Sequence, residues 1–177
     1  MKKRILVLIP GFFLMLSNIF AQTQQEEPGP PSTEAEFEQQ YQERIRKETL
    51  NGVYIPKNLE EAMVELDKRV SSEARTKFKA LPEDSVCMIM HHRLGQWMIL
   101  NWGFYGGSRL SNYLRSAGVT FPDDMADFLI LAYHRRQNAQ PIGIKELATD
   151  FRERRKKEYQ EKMKKGKVIH EEVRKRN

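Results

Sequence analysis

Apolar residues recur at helical spacing along most of this chain. Thr33 and Glu36 have the form of a capping box, and Phe37, Tyr41 and Ile45 follow at intervals of four. That pattern predicts a helix to about Thr49, stopped by Asn51-Gly52. Val53 to Pro56 reads as a short extended piece, because a residue before proline is pushed out of the helical region. Asn58 is placed to cap the next helix, with Glu61 three positions on and Leu59, Ala62, Met63, Leu66 and Val70 as its buried stripe. Ser71 or Ser72 opens a shorter one through Ala74, Phe78 and Leu81. Pro82, Glu83 and Asp84 suit a first helical turn, since carboxylates favour the positive end of the helix dipole.

Three stretches are apolar on nearly every side: Val86 to Met90, Trp97 to Leu100, and Phe128 to Leu131. Such helices are expected at the centre of a fold, with a bend near Gly95 between the first two. Gly103, Gly106 and Gly107 break the chain before Ser108, which is positioned to cap a helix through Leu110, Tyr113 and Leu114 that Gly118 ends. Pro122, Asp123 and Asp124 start the helix carrying the third run. After Pro141, the stripe Ile144, Leu147, Ala148 and Phe151 closes the core, then fades into charge. No strand pattern or internal repeat is visible. The fold class is therefore all-α: a compact multi-helix domain with a charged C-terminal helical extension.

The first 21 residues change the picture of where the chain goes. Lys2, Lys3 and Arg4 precede an apolar run from Ile5 to Leu16, and Ala21 offers a cleavage site, the order of a secretory signal peptide. Ile19 is large for the minus-three position, which keeps an uncleaved anchor as the alternative. The expected organisation is a signal peptide over 1–21, a linker and accessory helix over 22–52, a helical domain over 53–150 and a basic tail over 151–177. The mature chain is expected to be periplasmic or secreted, with no transmembrane helix. The net charge of +6 divides unevenly: +3 from 1–21, −4 from 22–150 with 15 basic and 19 acidic residues, and +7 from 151–177 with 12 basic and 5 acidic. An anionic surface would therefore meet the tail, and export disfavours nucleic acid as that partner. One cysteine, Cys87, sits in an apolar run and reads as a buried, inert thiol rather than a nucleophile served by His91.

Candidate chemistry is concentrated between His91 and His134. At Gly106-Gly107-Ser108-Arg109, backbone N–H groups, a hydroxyl and a guanidinium could converge on an anion. The competing reading is a tight turn with a serine cap, under which Arg109 needs a carboxylate partner, expected from Asp123 or Asp124. Trp102 and Tyr105 lie beside these glycines, and Trp102 to Tyr105 is the aromatic run expected to be exposed, as a platform for a glycan or peptide. His91, Asp123, Asp124 and His134 are the candidates for acid/base or metal-assisted hydrolysis, set against core hydrogen bonding and helix-start roles. Adjacent histidines on a helix diverge by about 100°, and no H-E-x-x-H or cysteine pair occurs, so no metal or cofactor is assigned.

In order, the chain presents His91-x-x-Leu94-Gly95-x-Trp97, Asn101-Trp102-Gly103, Gly107-Ser108-Arg109-Leu110, Pro122-Asp123-Asp124-Met125 and Tyr133-His134-Arg135. From about Val53 to Asp150 it resembles a family of small exported bacterial domains of unknown function. The resemblance implies one shared domain and no activity, substrate or catalytic residue. The reading from residues alone is a non-catalytic cell-envelope binding module with a ligand surface at the glycine turn, its partner an envelope protein, peptide or glycan. The alternative is a hydrolase using the histidine and aspartate cluster.

Overall fold

The structure is a computed structural model that describes residues 31–166. The expected signal peptide and the last eleven residues, expected to be frayed or disordered, lie outside the described residues. The architecture is all-α, with one small hairpin. α1 spans Glu34–Arg44, β1 Thr49–Leu50, β2 Val53–Tyr54, α2 Leu59–Arg69, α3 Ser72–Lys79, α4 Glu83–Met90, α5 Gln96–Asn101, α6 Arg109–Ser116, α7 Pro122–Gln137 and α8 Ile144–Lys165.

α7 is the axis of the domain. Phe128, Leu129 and Ile130 are fully buried, as the all-round apolar run requires, and α2, α3, α4, α5, α6 and α8 all pack against this helix. α2 presents Leu59, Ala62, Met63 and Leu66 to the core. α8 closes it with Leu147, Ala148 and Phe151, and then continues without a break across residue 150 to Lys165.

The caps follow the sequence closely. Thr33 and Glu36 form the capping box of α1, Asn58 caps α2 and Ser71 caps α3, each side chain accepting from the backbone N–H three residues on. Ser108 caps α6 and accepts from the Ser111 N–H, while the Ser111 hydroxyl accepts from the Ser108 N–H. Each satisfies a backbone donor that a helix start leaves unpaired.

Three expectations are corrected. Asn51-Gly52 does not end a helix, because α1 stops at Arg44. Both residues instead take positive φ (49° and 74°) and turn an antiparallel hairpin pairing Thr49 with Tyr54 and Leu50 with Val53, as Asn-Gly favours. Strands of two residues are too short to leave an alternating pattern in the sequence. The runs in α4 and α5 are not buried on all sides: Met88 is 74 % and Leu100 71 % exposed. They lie along one side of α7, so only the side facing that helix is covered. The bend near Gly95 is a π-helical turn, His91–Gly95, between α4 and α5. Gly95 is buried there and faces α7, where a Cβ would meet Ile130 at 3.4 Å and Ala126 at 3.6 Å, ordinary contact distances.

Candidate functional site

The glycine turn joins α5 to α6. Gly103 and Gly107 take φ of 65° and 86°, values that side chains with a Cβ rarely adopt. They carry the chain from the end of α5 to the cap of α6. A Cβ on Gly107 would lie 2.3 and 2.6 Å from two carbons of the Tyr41 ring, and one on Gly106 would meet the Arg44 guanidinium at 3.2 Å. Arg44 Nε donates to the Gly107 carbonyl at 3.2 Å, and the Tyr41 hydroxyl donates to Asn112 Oδ1 at 3.3 Å. Arg115 approaches the Tyr41 ring at 5.6 Å. The turn is thus a cradle for one aromatic ring and one guanidinium, one helical turn apart on α1. That helix fully buries none of its own residues.

The polar groups expected at this turn are placed elsewhere. The Ser108 hydroxyl is fully buried in the α6 cap. Arg109 points away from the turn: its Nε donates to the Ile55 carbonyl at 2.6 Å, Nη1 reaches Glu48 at 3.3 Å, and the guanidinium covers the Tyr54 ring at 4.9 Å. These contacts, with Glu61 at 3.9 Å, supply the carboxylates that a cation at a helix start requires. The expected pairing of Arg109 with Asp123 or Asp124 is therefore incorrect. Trp102 is also corrected, since it is fully buried and packs edge-on against Trp97 at 5.5 Å, and Phe104 is fully buried beside it. The positive φ of Gly103 turns the chain so that both flanking aromatics enter the core, leaving Tyr105 as the exposed ring, at 66 %.

The histidine and aspartate candidates divide into separate places. His134 is buried, with Nε2 2.9 Å from the Leu81 carbonyl and its ring edge-on to Phe78. Asp124, 6 % exposed, accepts from Arg155 at 2.9 and 2.7 Å and from Arg154 at 3.4 Å. Those hydrogen bonds hold the Arg155 proton more firmly than usual and tie the start of α7 to α8. His91 is half-buried: Nδ1 lies 2.7 Å from Asp127 and Nε2 3.6 Å from Asp123. Asp127 was not singled out from the sequence. Its signal is its position four residues after Asp123, which places both carboxylates on one face of α7. Cys87 lies beside this group with its thiol 3.5 Å from the Asp127 carbonyl, and burial pushes that thiol up to about 12. It is protonated and unreactive near neutral pH. Among the described residues, no group of three histidine, cysteine or acidic side chains is arranged to hold a metal ion.

The Tyr133-His134-Arg135 motif resolves into structural ties. In Tyr133-His134-Arg135, the tyrosine donates to Asp67 at 2.9 Å, the histidine meets Leu81, and the arginine holds Glu83 at 2.7 Å and the Ile142 carbonyl at 2.9 Å. Asp67 also accepts from Gln137 at 2.9 Å and faces Arg75. One carboxylate therefore joins α2, α3 and α7.

Fold and site together define a small all-α domain whose polar residues mainly brace helices against one another. Residues 55–137 match the model of a family described as a domain of unknown function, DUF6794. No curated protein and no solved structure matches the chain. The match runs from the end of the hairpin to the end of α7, the part that carries the five motifs.

Proposed function

We propose that the protein is a non-catalytic interaction module of the cell envelope, and that its recognition surface is the glycine turn at Gly106 and Gly107. One observation carries the reading: two adjacent glycines leave room for an aromatic ring and a guanidinium supplied by a helix that fully buries none of its own residues. A groove of this kind accepts a helix bearing an aromatic residue and an arginine three positions later, and in the free chain α1 is that helix. Recognition of a helix laid on a surface groove is a common mode of peptide binding. The anion reading of Ser108 and Arg109 draws no support from their geometry, since both face other partners. The envelope assignment is supported by the charge and hydropathy order of Lys2 to Ala21. It is tested by finding a mature chain that begins at Gln22 in the envelope fraction; a cytoplasmic chain retaining Met1 contradicts it.

The binding claim is tested with a synthetic peptide of residues 32–47 added to the full chain carrying Tyr41→Ala and Arg44→Ala. The prediction is amide shift changes confined to Gly103 through Asn112, absent for a peptide with the same two alanines. No shift with either peptide, or equal shifts with both, contradicts the proposal.

A hydrolase is the second reading, favoured by the 2.7 Å contact of His91 with Asp127, a pair of the kind that orients an imidazole as a general base. It predicts an esterase or peptidase activity abolished by His91→Ala; the same activity in that variant excludes His91 as the base.

A further inference from the structure

The end of α2 and the helical segment running from α4 through the π turn into α5 border an open groove of about 570 Å³, lined by Arg69, Val70, Met90, Arg93, Leu94 and Trp97. Val70, Met90, Leu94 and Trp97 are half-buried and form its apolar wall, while Arg69 and Arg93 are exposed beside them. In the His91-x-x-Leu94-Gly95-x-Trp97 motif, His91 turns to Asp127 and Gly95 faces α7. Leu94 and Trp97 are the members that line the groove. A π turn is a rare departure from the α-helix that recurs at functional sites, and this one carries Arg93 and Leu94. All six lining residues fall within the segment that matches the family.

The two arginines differ from those that tie elements together. Arg109, Arg135, Arg136 and Arg155 each hold a carboxylate, whereas among the described residues no carboxylate lies within ion-pair distance of Arg69 or Arg93. Arg69 is steadied over the Trp97 ring at 4.4 Å, a contact that uses its charge and leaves its N–H donors unbonded. The side chains of the groove therefore supply N–H donors and no carboxylate, amide or hydroxyl acceptor. A glycan brings hydroxyl donors and a peptide brings amide donors, and neither finds a side-chain partner there. A cation would meet two like charges. An anion on an apolar body has acceptors only, so it matches both the guanidinium groups and the wall.

We propose that this groove binds an amphipathic anion, a carboxylate or phosphate head on an alkyl chain. Arg69 and Arg93 take the head, and Val70, Met90, Leu94 and Trp97 cover the chain. Guanidinium groups recognise carboxylate and phosphate through paired N–H donors. The volume falls in the range of small-molecule sites, about 300–1,000 Å³, which are mostly apolar with a few polar groups that set orientation. The site is separate from the glycine turn, none of whose residues line it, and it stands whether or not that turn recognises a helix.

The test is titration of the isotope-labelled full chain with hexanoate, octanoate and decanoate, each below micelle formation, read at the tryptophan indole N–H signals. Trp97 lines the groove and Trp102 is fully buried. The proposal predicts a saturable shift of the Trp97 signal that exceeds any shift of Trp102. Affinity should rise about twofold for each CH₂ added, half-covered in an open groove, against about fourfold for full burial. Octanol should bind about tenfold more weakly than octanoate, because it gives the arginines no charge to pair with. Arg69→Gln/Arg93→Gln should weaken octanoate about tenfold and leave octanol unchanged; an unmoved Trp102 signal shows that this variant is folded, and the octanol comparison needs no variant. Octyl phosphate in place of octanoate distinguishes the two heads, the tighter ligand naming the preferred one. The proposal is overturned if Trp97 does not respond to decanoate, if octanol binds as tightly as octanoate, or if the glutamine variant keeps wild-type affinity. A Trp97 response to polyglutamate but not to decanoate equally overturns it, marking a site for an acidic polypeptide instead.

Discussion

Gly107→Ala perturbs the cradle at its tightest point. The residue has φ of 86°, where an L side chain costs about 1–2 kcal/mol, partly offset because alanine reduces the freedom of the unfolded chain. A net loss of about 1 kcal/mol is expected from the backbone alone. The new Cβ would also overlap the Tyr41 ring, at 2.3 and 2.6 Å against an ordinary contact of 3.4–4 Å. The ring must move by more than 1 Å. α1 buries none of its residues fully, so the helix yields before the core does. Its docking rests on the Arg44 bond to Gly107, the Tyr41 bond to Asn112 and a half-buried ring, together worth about 2 kcal/mol. Released, eleven residues are too short to hold a helix in water. Amide exchange over Glu34–Arg44 should therefore accelerate about thirtyfold, by the equivalence of 1.4 kcal/mol to a factor of ten. The rest of the domain should keep its protection pattern. In a Tyr41→Ala background the overlap is gone, and only the backbone cost should remain, giving a coupling of about 1–2 kcal/mol in a double-mutant cycle. Unchanged exchange in α1, or a Gly107→Ala effect that is the same in both backgrounds to within about 0.5 kcal/mol, would refute the reasoning.

Asp124→Asn should destabilise the domain by about 1–2 kcal/mol, less than a fully buried pair costs, because the Arg155 side chain is 31 % exposed and can turn to solvent; a urea midpoint that does not move contradicts the tie between α7 and α8. The Glu61 carboxyl is held down to about 2 from 4.5, first by its hydrogen bond from the Lys57 side chain and then by the Lys57 backbone N–H. A depressed carboxyl contributes stability that is present above its unfolded value and is lost as pH falls from about 4.5 through 2. The stability gap between wild type and Glu61→Gln should accordingly close over that window, and a constant gap would remove Glu61 from the acid response. Cys87, pushed up to about 12 by burial, should resist iodoacetamide near neutral pH and react at the rate of an exposed thiol once urea unfolds the chain; rapid alkylation of the folded protein would revive the nucleophile reading.

Local signals carried the secondary structure far. Caps at Thr33, Asn58, Ser71 and Ser108 were legible because one short polar side chain and its third neighbour settle a helix start with no help from the rest of the fold. The burial of Phe128 to Ile130 was legible because no helix exposes such a run on all sides. The apolar faces of α4 and α5 misled for the converse reason: Met88 and Leu100 lie on the sides of these helices that α7 leaves uncovered, which is a fact of packing. Pairings between distant positions were out of reach. Arg109 visibly needed a carboxylate, yet Glu48 and Glu61 become its neighbours through the hairpin, which two-residue strands do not announce. The partners of Gly107 were hidden in the same way. Tyr41 reads as part of the stripe of an accessory helix expected to run to about Thr49, Arg44 carries no signal of its own, and nothing local connects them with a turn more than sixty residues on.

The most direct test of the cradle is a nuclear Overhauser measurement between the ring protons of Tyr41 and the α-protons of Gly107 in the full chain. The geometry predicts strong cross-peaks, accompanied by weaker ones from the Arg44 side chain to Gly106, and their loss in Gly107→Ala. A folded chain that shows no contact between Tyr41 and Gly107 would contradict the account, because the glycine turn would then be an ordinary surface loop with nothing resting in it.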